Sequence, residues 1–451
     1  MKLRTLRNLI LPACLCLSLA AQGQIVINEV SAANGDQQYD PTFYNFGSWV
    51  ELYNTSKSDV NISSWFISDA PSQPQRWRLP PESIVPGHGY LLVWCDGESS
   101  GIHTNFSLSP DGEWVVLTNN LGERMDQMQF PSHPVNASFG RISDGGLSIG
   151  FLAEATPLAA NPTSAAGPAI DKVTFSQPSG RYNSLLSITL SSNESAATIH
   201  YTVDGSEPTS HSTTYTSPVP VNSTTVVKAK AYVPGRLPSK TAIATYFIAE
   251  HTFTIPVVSI STNPDYLWNT RIGIYVDGTN GVPGNCQGDP KNFNQPWDRH
   301  AFFEYYLPSG ERRIGQAIDL RIGGACSRGF PQKSLVVRAR KKYGKNTLGE
   351  PFFQSKDIRQ YGSLMLRNSG NDFNNTSMRD ALMQVIPVGE MDIDYMAYQP
   401  SVLFLNGQYW GIHNIREKLN EHYVEAHFNV SGDSIDLIEI NKGQAANNGT
   451  M

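Results

Sequence analysis

A chain of 451 residues has room for two to four domains at roughly 100–200 residues each. Apolar residues make up 40% of it and charged residues 16%, which is too apolar for a disordered chain and too sparsely charged for a long coiled coil. A net charge of −6 argues against a basic nucleic-acid binder, and 37 Gly with 29 Pro but no Gly-X-Y period exclude collagen and predict many turns.

The first 24 residues read as a secretory signal peptide. Lys2, Arg4 and Arg7 form a positive start, LILPACLCLSLAA an apolar stretch, and Ala21-Gln22-Gly23 a small-x-small cleavage site. Removing three positive charges from −6 leaves −9 on the exported remainder. A lipoprotein site at Cys14 is the competing reading, weakened by Pro12 and the short apolar run before it. No later segment approaches the ~18 continuous apolar residues of a membrane span. Cleavage leaves Cys95, Cys286 and Cys326. Export permits disulfides, and a shared region makes Cys286 and Cys326 the expected pair. Cys95, inside YLLVWC, is expected to be a buried thiol. No Cys-x-x-Cys or His-x-x-x-His pattern suggests structural zinc.

Residues 25–142 read as all-β. IVINEV, WVELYN, YLLVWC and WVVLTN are short β-rich runs divided by the turn signals NGD, PGHG, PDG and NLGE, a pattern that predicts a sandwich. In this order INEV, WVELYN, NISSWFISD, LPPESIVPGHGYLLVWC and FSLSPDGEWVVLTN resemble a lamin-tail domain, which implies an immunoglobulin-like attachment or interaction module. Trp65 and Phe106 are expected in its core, and Glu29 and Glu51 as strand-edge hydrogen-bonding groups. Residues 143–170, containing TPLAANPTSAAGPA, read as an extended, mobile linker.

Residues 171–248 form a second β-unit, with strands in LLSITLS, TIHYTV, VVKAKAYV and TAIATYFI. SGRYNSLLSITLSS, IHYTVDGSEPT and VKAKAYVPGRLPSK are similar to the C-terminal β-sandwich of chitobiase and bacterial hexosaminidases, a fibronectin-type accessory module. Asp204 and Glu207 lie in an apparent hairpin turn with no barrel to hold a sugar between them, so they read as turn residues rather than as a glycosidase pair.

Residues 252–451 mix strands with a helix. TIPVVSIS is a strand, and HAFFEYYLPSGERRIGQAIDLRIGG is a hairpin turning at Pro308-Ser309-Gly310. SLVVRARKKYG and SLMLRNSG are further strands. TSMRDALMQVI reads as a helix opened by Ser377 with Asp380 three residues on, with Met378, Leu382 and Val385 at helical spacing. PSVLFLNGQYWGIHNIREKL is a second hairpin on a type I′ turn at Asn406-Gly407. The order resembles the first half of a kinase-like fold. RIGGACSRGFPQKSLVVRARKKYG, LRNSGND, MRDALMQ and VLFLNGQYWGIHNIREKLNEHY resemble the CotH kinase family, the spore-coat-protein-H-like proteins. The fold class expected for the whole is multidomain: two all-β immunoglobulin- or fibronectin-like sandwiches followed by an α+β kinase-like N-terminal lobe.

The resemblance implies an atypical kinase moving the γ-phosphoryl group of ATP, with Mg²⁺, onto secreted or cell-surface proteins. Such chemistry needs a cation on the phosphates, hard carboxylate ligands for the metal, and a carboxylate near the acceptor hydroxyl. Lys333, at the start of a strand, is the candidate cation; spacing alone would make it a solvated strand-end charge. Its anionic partner is expected to be Glu417 or, in the helix, Asp380, either within salt-bridge reach across a cleft between the hairpins. Arg379 and Asp380 can equally pair with neighbours to fix the helix. Arg328 is a further phosphate candidate, and His413 and His422 read as packing or surface residues. The family's catalytic aspartates lie downstream of IREK, and Asp433 and Asp436 fit a turn and strand start better than that role. The domain therefore reads as truncated, and the chain as given is expected to be inactive as a kinase. The rival reading is a cell-surface interaction or adhesion protein with a non-catalytic kinase-like part. A cell-surface glycan is a possible partner of the β-modules, and a glycoside hydrolase has only the accessory-module resemblance behind it.

Overall fold

Alternating apolar runs between Ile25 and Leu152 pair into two facing sheets. The structure, a computed structural model, describes residues 24–431 together with 434 and 435. The leader segment and both Asp433 and Asp436 lie outside the described residues. One sheet orders Ile149–Leu152, Ser138–Arg141, Ile25–Ser31, Ser48–Asn54 and Tyr90–Cys95 side by side, and the other Trp77–Arg78, Phe66–Ser68, Gly112–Thr118 and Arg124–Pro131. Every second side chain enters a shared core of Ile27, Val50, Leu52, Val93, Val115 and Leu117, with Phe106 buried and Trp65 packed against it. Cys95 is a free, buried thiol whose pKa burial pushes well up.

Two readings of this unit change. Glu29 and Glu51 are not strand-edge groups: they are opposed on the two central strands, both fully buried. Nor is the segment after residue 143 a free linker. Ile149–Leu152 is itself a strand of the sheet. The Glu29 carboxylate accepts from the Thr156 N–H and hydroxyl, and Glu51 accepts from the Leu158 N–H at 2.6 Å. Small, uncharged residues leave the segment's own N–H groups available, and the buried carboxylates take them. Burial pushes both acids up, Glu51 to about 8, although Asn28 and Leu158 donate to it.

The second unit centres on a sheet ordered Gly180–Tyr182, Ala242–Ile248, Thr225–Tyr232, Thr198–Thr202 and Thr213–Thr214. All seven residues of Ala242–Ile248 are buried, because one face fills this unit's core and the other packs on the third unit. Asp204 accepts from the Ser206 N–H and hydroxyl in a local turn, and Glu207 accepts from Thr241.

The third unit departs from the α+β lobe expected of it. It is a closed barrel of seven strands, ordered Val257–Thr262, Arg299–Tyr306, Arg312–Ile322, Leu335–Arg338, Ser363–Arg367, Gln408–Glu417 and Tyr398–Leu405. All neighbours are antiparallel except the closing pair, where Val257–Thr262 runs parallel to Tyr398–Leu405. Periodicity marks a strand but not its partner, so closure was not legible in the residues. The interior is filled by Ile260, Phe303, Leu320, Val337, Leu364, Leu366 and Ile415. Asn406 and Gly407 both have positive φ, 49° and 79°, as the type I′ turn requires. Their tip abuts the second unit: a Cβ on Gly407 would lie 3.0 Å from the Thr224 carbonyl.

The units are docked on one another. Glu304, 1% exposed, accepts from Ser179, Thr245, Tyr306 and Arg312, joining the second unit to the barrel. Phe247 packs edge-on against Tyr306 and Phe404 beside it. From the first unit, Tyr44 packs on Trp297, and its carbonyl accepts from the buried Arg299 at 2.9 Å.

Candidate functional site

The loop from Gly323 to Lys333 joins two barrel strands, and its conformation sets where the candidate cations point. Cys326 opens a short 3-10 turn, Cys326–Gly329, and is bonded to Cys286, with Cα atoms 5.0 Å apart, as the shared region predicted. Lys333 ends the loop. Its ammonium turns inward, donating to the carbonyls of Arg328 at 2.6 Å and Phe330 at 3.2 Å, and lies 4.1 Å from the Phe293 ring centroid. The residue is 5% exposed, and burial pushes its pKa down to about 8 against a weaker opposing pull from Asp277. Its backbone is fixed as well: Tyr275 accepts its N–H at 2.7 Å and the buried His413 ring binds its carbonyl at 3.1 Å. Burial pushes His413 down to about 4, so the ring is neutral near pH 7 and its Nε2–H is the donor. Arg328 also turns to backbone, donating to the Gly324 and Asn294 carbonyls at 2.6 and 3.0 Å.

Neither expected carboxylate reaches Lys333, and this corrects the pairing drawn from the residues. Asp380 is held between two arginines instead. Arg367 binds it through two N–H groups at 2.9 and 3.0 Å, and Arg416 through one at 2.9 Å. Arg416 is fully buried, with burial pushing its pKa down against the pull of Asp380. The triad pins the helix Arg379–Val385 to the strands Ser363–Arg367 and Gln408–Glu417. That helix is not capped by Ser377, whose hydroxyl donates to the Phe373 carbonyl. Asp372 does the capping, accepting from the Met378 and Arg379 N–H groups at 3.0 and 2.8 Å, and its pKa falls to about 2, chiefly through the Thr376 hydroxyl. The residues at helical spacing, Met378, Leu382 and Val385, face outward and are at least half exposed.

Glu417 sits elsewhere. It is 2% exposed, accepts from the Ala397 N–H at 2.9 Å, and pairs with His427 at 3.2 Å and Lys356 at 3.6 Å. Lys356 lies 3.9 Å from the Tyr395 ring centroid. His422 contacts Glu425 at 3.0 Å on the neighbouring helix Glu421–Phe428.

The four candidates thus fall in three places: Lys333 and Arg328 within the loop, Asp380 at the helix, Glu417 at the end of the hairpin strand Gln408–Glu417. Sequence reasoning missed Arg367, Arg416 and Lys356. Arg367 had a signal, because alternation in SLMLR sets Met365 and Arg367 on the face opposite the barrel-core residues Leu364 and Leu366. Lys356 had none. The outer barrel face around Arg367 and Arg416 carries a small apolar floor. A Cβ on Gly323 would lie 3.0 Å from Val336 Cγ2 and 3.3 Å from Met365 Cε, so the three positions adjoin. Val336 and Arg416 are buried beneath their neighbours, and Arg367, 21% exposed, is the guanidinium of this face that water reaches. Magnesium is not fitted: among the described residues no group of three or more His, Cys, Asp or Glu is placed to hold a metal ion. Among them also, no helix is long and apolar enough to cross a membrane.

Three family models match the chain in the order read from the residues. The Lamin Tail Domain matches residues 18–132, the chitobiase/beta-hexosaminidase C-terminal domain 177–243, and the CotH kinase protein 320–450. The last match begins inside the third barrel strand. No curated protein sequence matches the chain. Solved structures with some likeness include fibronectin(III)-like modules of Clostridium thermocellum CbhA, at 11% identity over 50% of this chain and 97% of that one, TM-score 0.17. Murine CEACAM1b follows at 10% identity over 49% and 100%, TM-score 0.14. Drosophila N-cadherin EC1-3 has 10% identity over 58% and 88%, TM-score 0.13.

Proposed function

We propose that the chain is an exported CotH-type protein kinase that uses ATP to phosphorylate hydroxyl groups of secreted or cell-surface proteins, with the two sandwiches as docked accessory modules. The observation that carries the reading is the CotH kinase match over residues 320–450. The Arg367–Asp380 pair supports it. Kinases tie a strand cation to a helix carboxylate to set the nucleotide phosphates, and this strand–helix pair is of the same kind. In this reading Arg367, 21% exposed, is the guanidinium that faces the phosphates, and the buried Arg416 holds Asp380 in place behind it. Lys333 holds the loop in shape through the loop's own carbonyls, and Arg328 ties the loop both to itself and to the Asn294 carbonyl. The positive, apolar leader and the disulfide support export. Mg²⁺ would screen the phosphates when bound, but the described residues offer it no group of three or more His, Cys, Asp or Glu.

Calorimetric titration of the full chain with ATP tests the reading. Saturable binding is expected, weakened at least tenfold in Arg367→Met. No binding of ATP or ADP, with or without Mg²⁺ or Mn²⁺, would overturn it. A second reading, a non-catalytic surface interaction protein, draws on one observation. Between Met378 and Ile393, eight apolar side chains are each at least 40% exposed, a patch of the kind that other proteins cover. Failed nucleotide binding together with protection of this stretch by a partner would favour it.

A further inference from the structure

On the barrel wall beside the strands Arg312–Ile322 and Leu335–Arg338, positive charge outnumbers the carboxylates that hold it. Asp298 accepts from Arg321 through two bonds of 2.8 and 2.9 Å, from Arg338 at 3.2 Å and from Arg340 at 3.4 Å. Asp319 accepts from Arg340 at 3.0 Å and from the Tyr343 hydroxyl at 2.7 Å, and pairs with Lys342 at 3.2 Å. Four cations therefore share two carboxylates. The burial is split in the same sense. The cationic side chains are 21–38% exposed, whereas Asp298 is 18% and Asp319 4% exposed. The acids form a floor that fixes the guanidinium groups, and the excess charge faces water. Lys418 extends this field: after burial, Arg338 lowers its proton affinity, with Glu421 as the opposing acid. On a chain of net charge −6 such a local excess is not a by-product of composition.

The spacing narrows the ligand. Neighbouring strands lie about 4.8 Å apart, so cations spread over two strands and the turn beyond them cover more than a single small anion. An extended peptide sets alternate side chains on one side about 6.6–6.8 Å apart, which suits carboxylates reaching successive guanidiniums. We infer that this cluster docks an acidic, extended segment of the acceptor protein. The inference rests on the kinase reading only for the source of that segment; the binding itself does not require it.

The test is fluorescence anisotropy of a labelled octapeptide of Asp and Glu around one Ser, titrated with the full chain at two salt concentrations. A neutral Gln-Ser-Gly octapeptide and unlabelled ATP serve as competitors. Saturable binding of the acidic probe is expected, weaker at high salt. It should fall at least tenfold in Arg338→Gln/Arg340→Gln. Lys342→Gln/Lys418→Gln, which leaves every contact to Asp298 in place, is read in the same way should the first variant fold poorly. Equal binding of the neutral peptide, undiminished binding by a folded double variant, or displacement by ATP overturns the inference. Acidic-peptide binding without ATP binding would instead leave the docking site standing and remove the kinase reading.

Discussion

Replacing Asp380 with Ala removes the counter-ion of a guanidinium that water cannot reach. Arg416 is fully buried and Asp380 is its one ion-pair partner among the described residues, at 2.9 Å; beyond it the guanidinium has a bond of 3.3 Å to the Met396 carbonyl and lies 5.8 Å from the Tyr398 ring centroid. Arg367, on the other side of Asp380, is 21% exposed and can be rehydrated. The loss is therefore dominated by one uncompensated buried charge, about 3 kcal/mol on the scale of broken buried ion pairs. For a unit of about 200 residues that lowers the midpoint by about 6–12 °C. Scanning calorimetry of the full chain measures it, with the barrel transition assigned as the one shifted by reduction of the Cys286–Cys326 bond. Asp380→Ala/Arg416→Met takes the stranded charge away and should recover at least half of the loss, because an apolar side chain of similar length suits the site better than an unpaired cation. A shift below about 2 °C in the single variant, under 1 kcal/mol on the same scale, would refute this account of the triad. So would a double variant as damaged as the single one.

Three further outcomes follow from buried groups and the disulfide. Lys333 has a folded-state pKa of about 8, below its ordinary 10.5, so between those values the unfolded chain binds the proton more tightly. Barrel stability should rise with pH across that window by up to about 3 kcal/mol, and denaturant titrations of Lys333→Met should lack the rise. Glu51 has the opposite sign: its folded pKa is raised from 4.5 to about 8, so its contribution is fully present below pH 4.5 and is lost as pH climbs towards 8. Glu51→Gln, which imitates the protonated acid, should flatten a slope of up to about 1.4 kcal/mol per pH unit; identical slopes for parent and variant would count against the buried cluster. Cys286→Ser opens a link between residues 40 apart in sequence and should cost about 3–4 kcal/mol in the barrel transition, with faster proteolysis between residues 283 and 292 as a second readout.

Local chemistry was legible wherever a few adjacent residues decide the outcome. The hairpin tips at Pro308–Gly310 and Asn406–Gly407 and the turn role of Asp204 depend on side chains bonding nearby backbone or permitting positive φ, whereas Glu207 binds the distant Thr241 hydroxyl. The core place of Phe106 was expected from the lamin-tail resemblance, and that of Cys95 from the apolar run YLLVWC. Capping at Arg379 was misassigned for an instructive reason. A cap is sought immediately before the helix, but the chain bends at Ser377, with φ 54°, and brings Asp372 from seven residues upstream to the first N–H groups.

By themselves the residues determined the runs that become strands and the order of the three units, and they favoured Cys286 and Cys326 as the pair that could bond. Tertiary structure alone decided that the third sheet closes, that residues 156–161 dock on buried carboxylates, and which cation meets which acid. Asp380 and Glu417 both looked able to reach Lys333, but a long side chain settles where desolvation is best compensated. For Lys333 that was the carbonyls of Arg328 and Phe330, for Asp380 the guanidiniums of Arg367 and Arg416, and for Glu417 the side chains of Lys356 and His427. Alternation states which face a residue occupies. Its partner comes from a strand or loop distant in the chain, and only the folded barrel brings the two together.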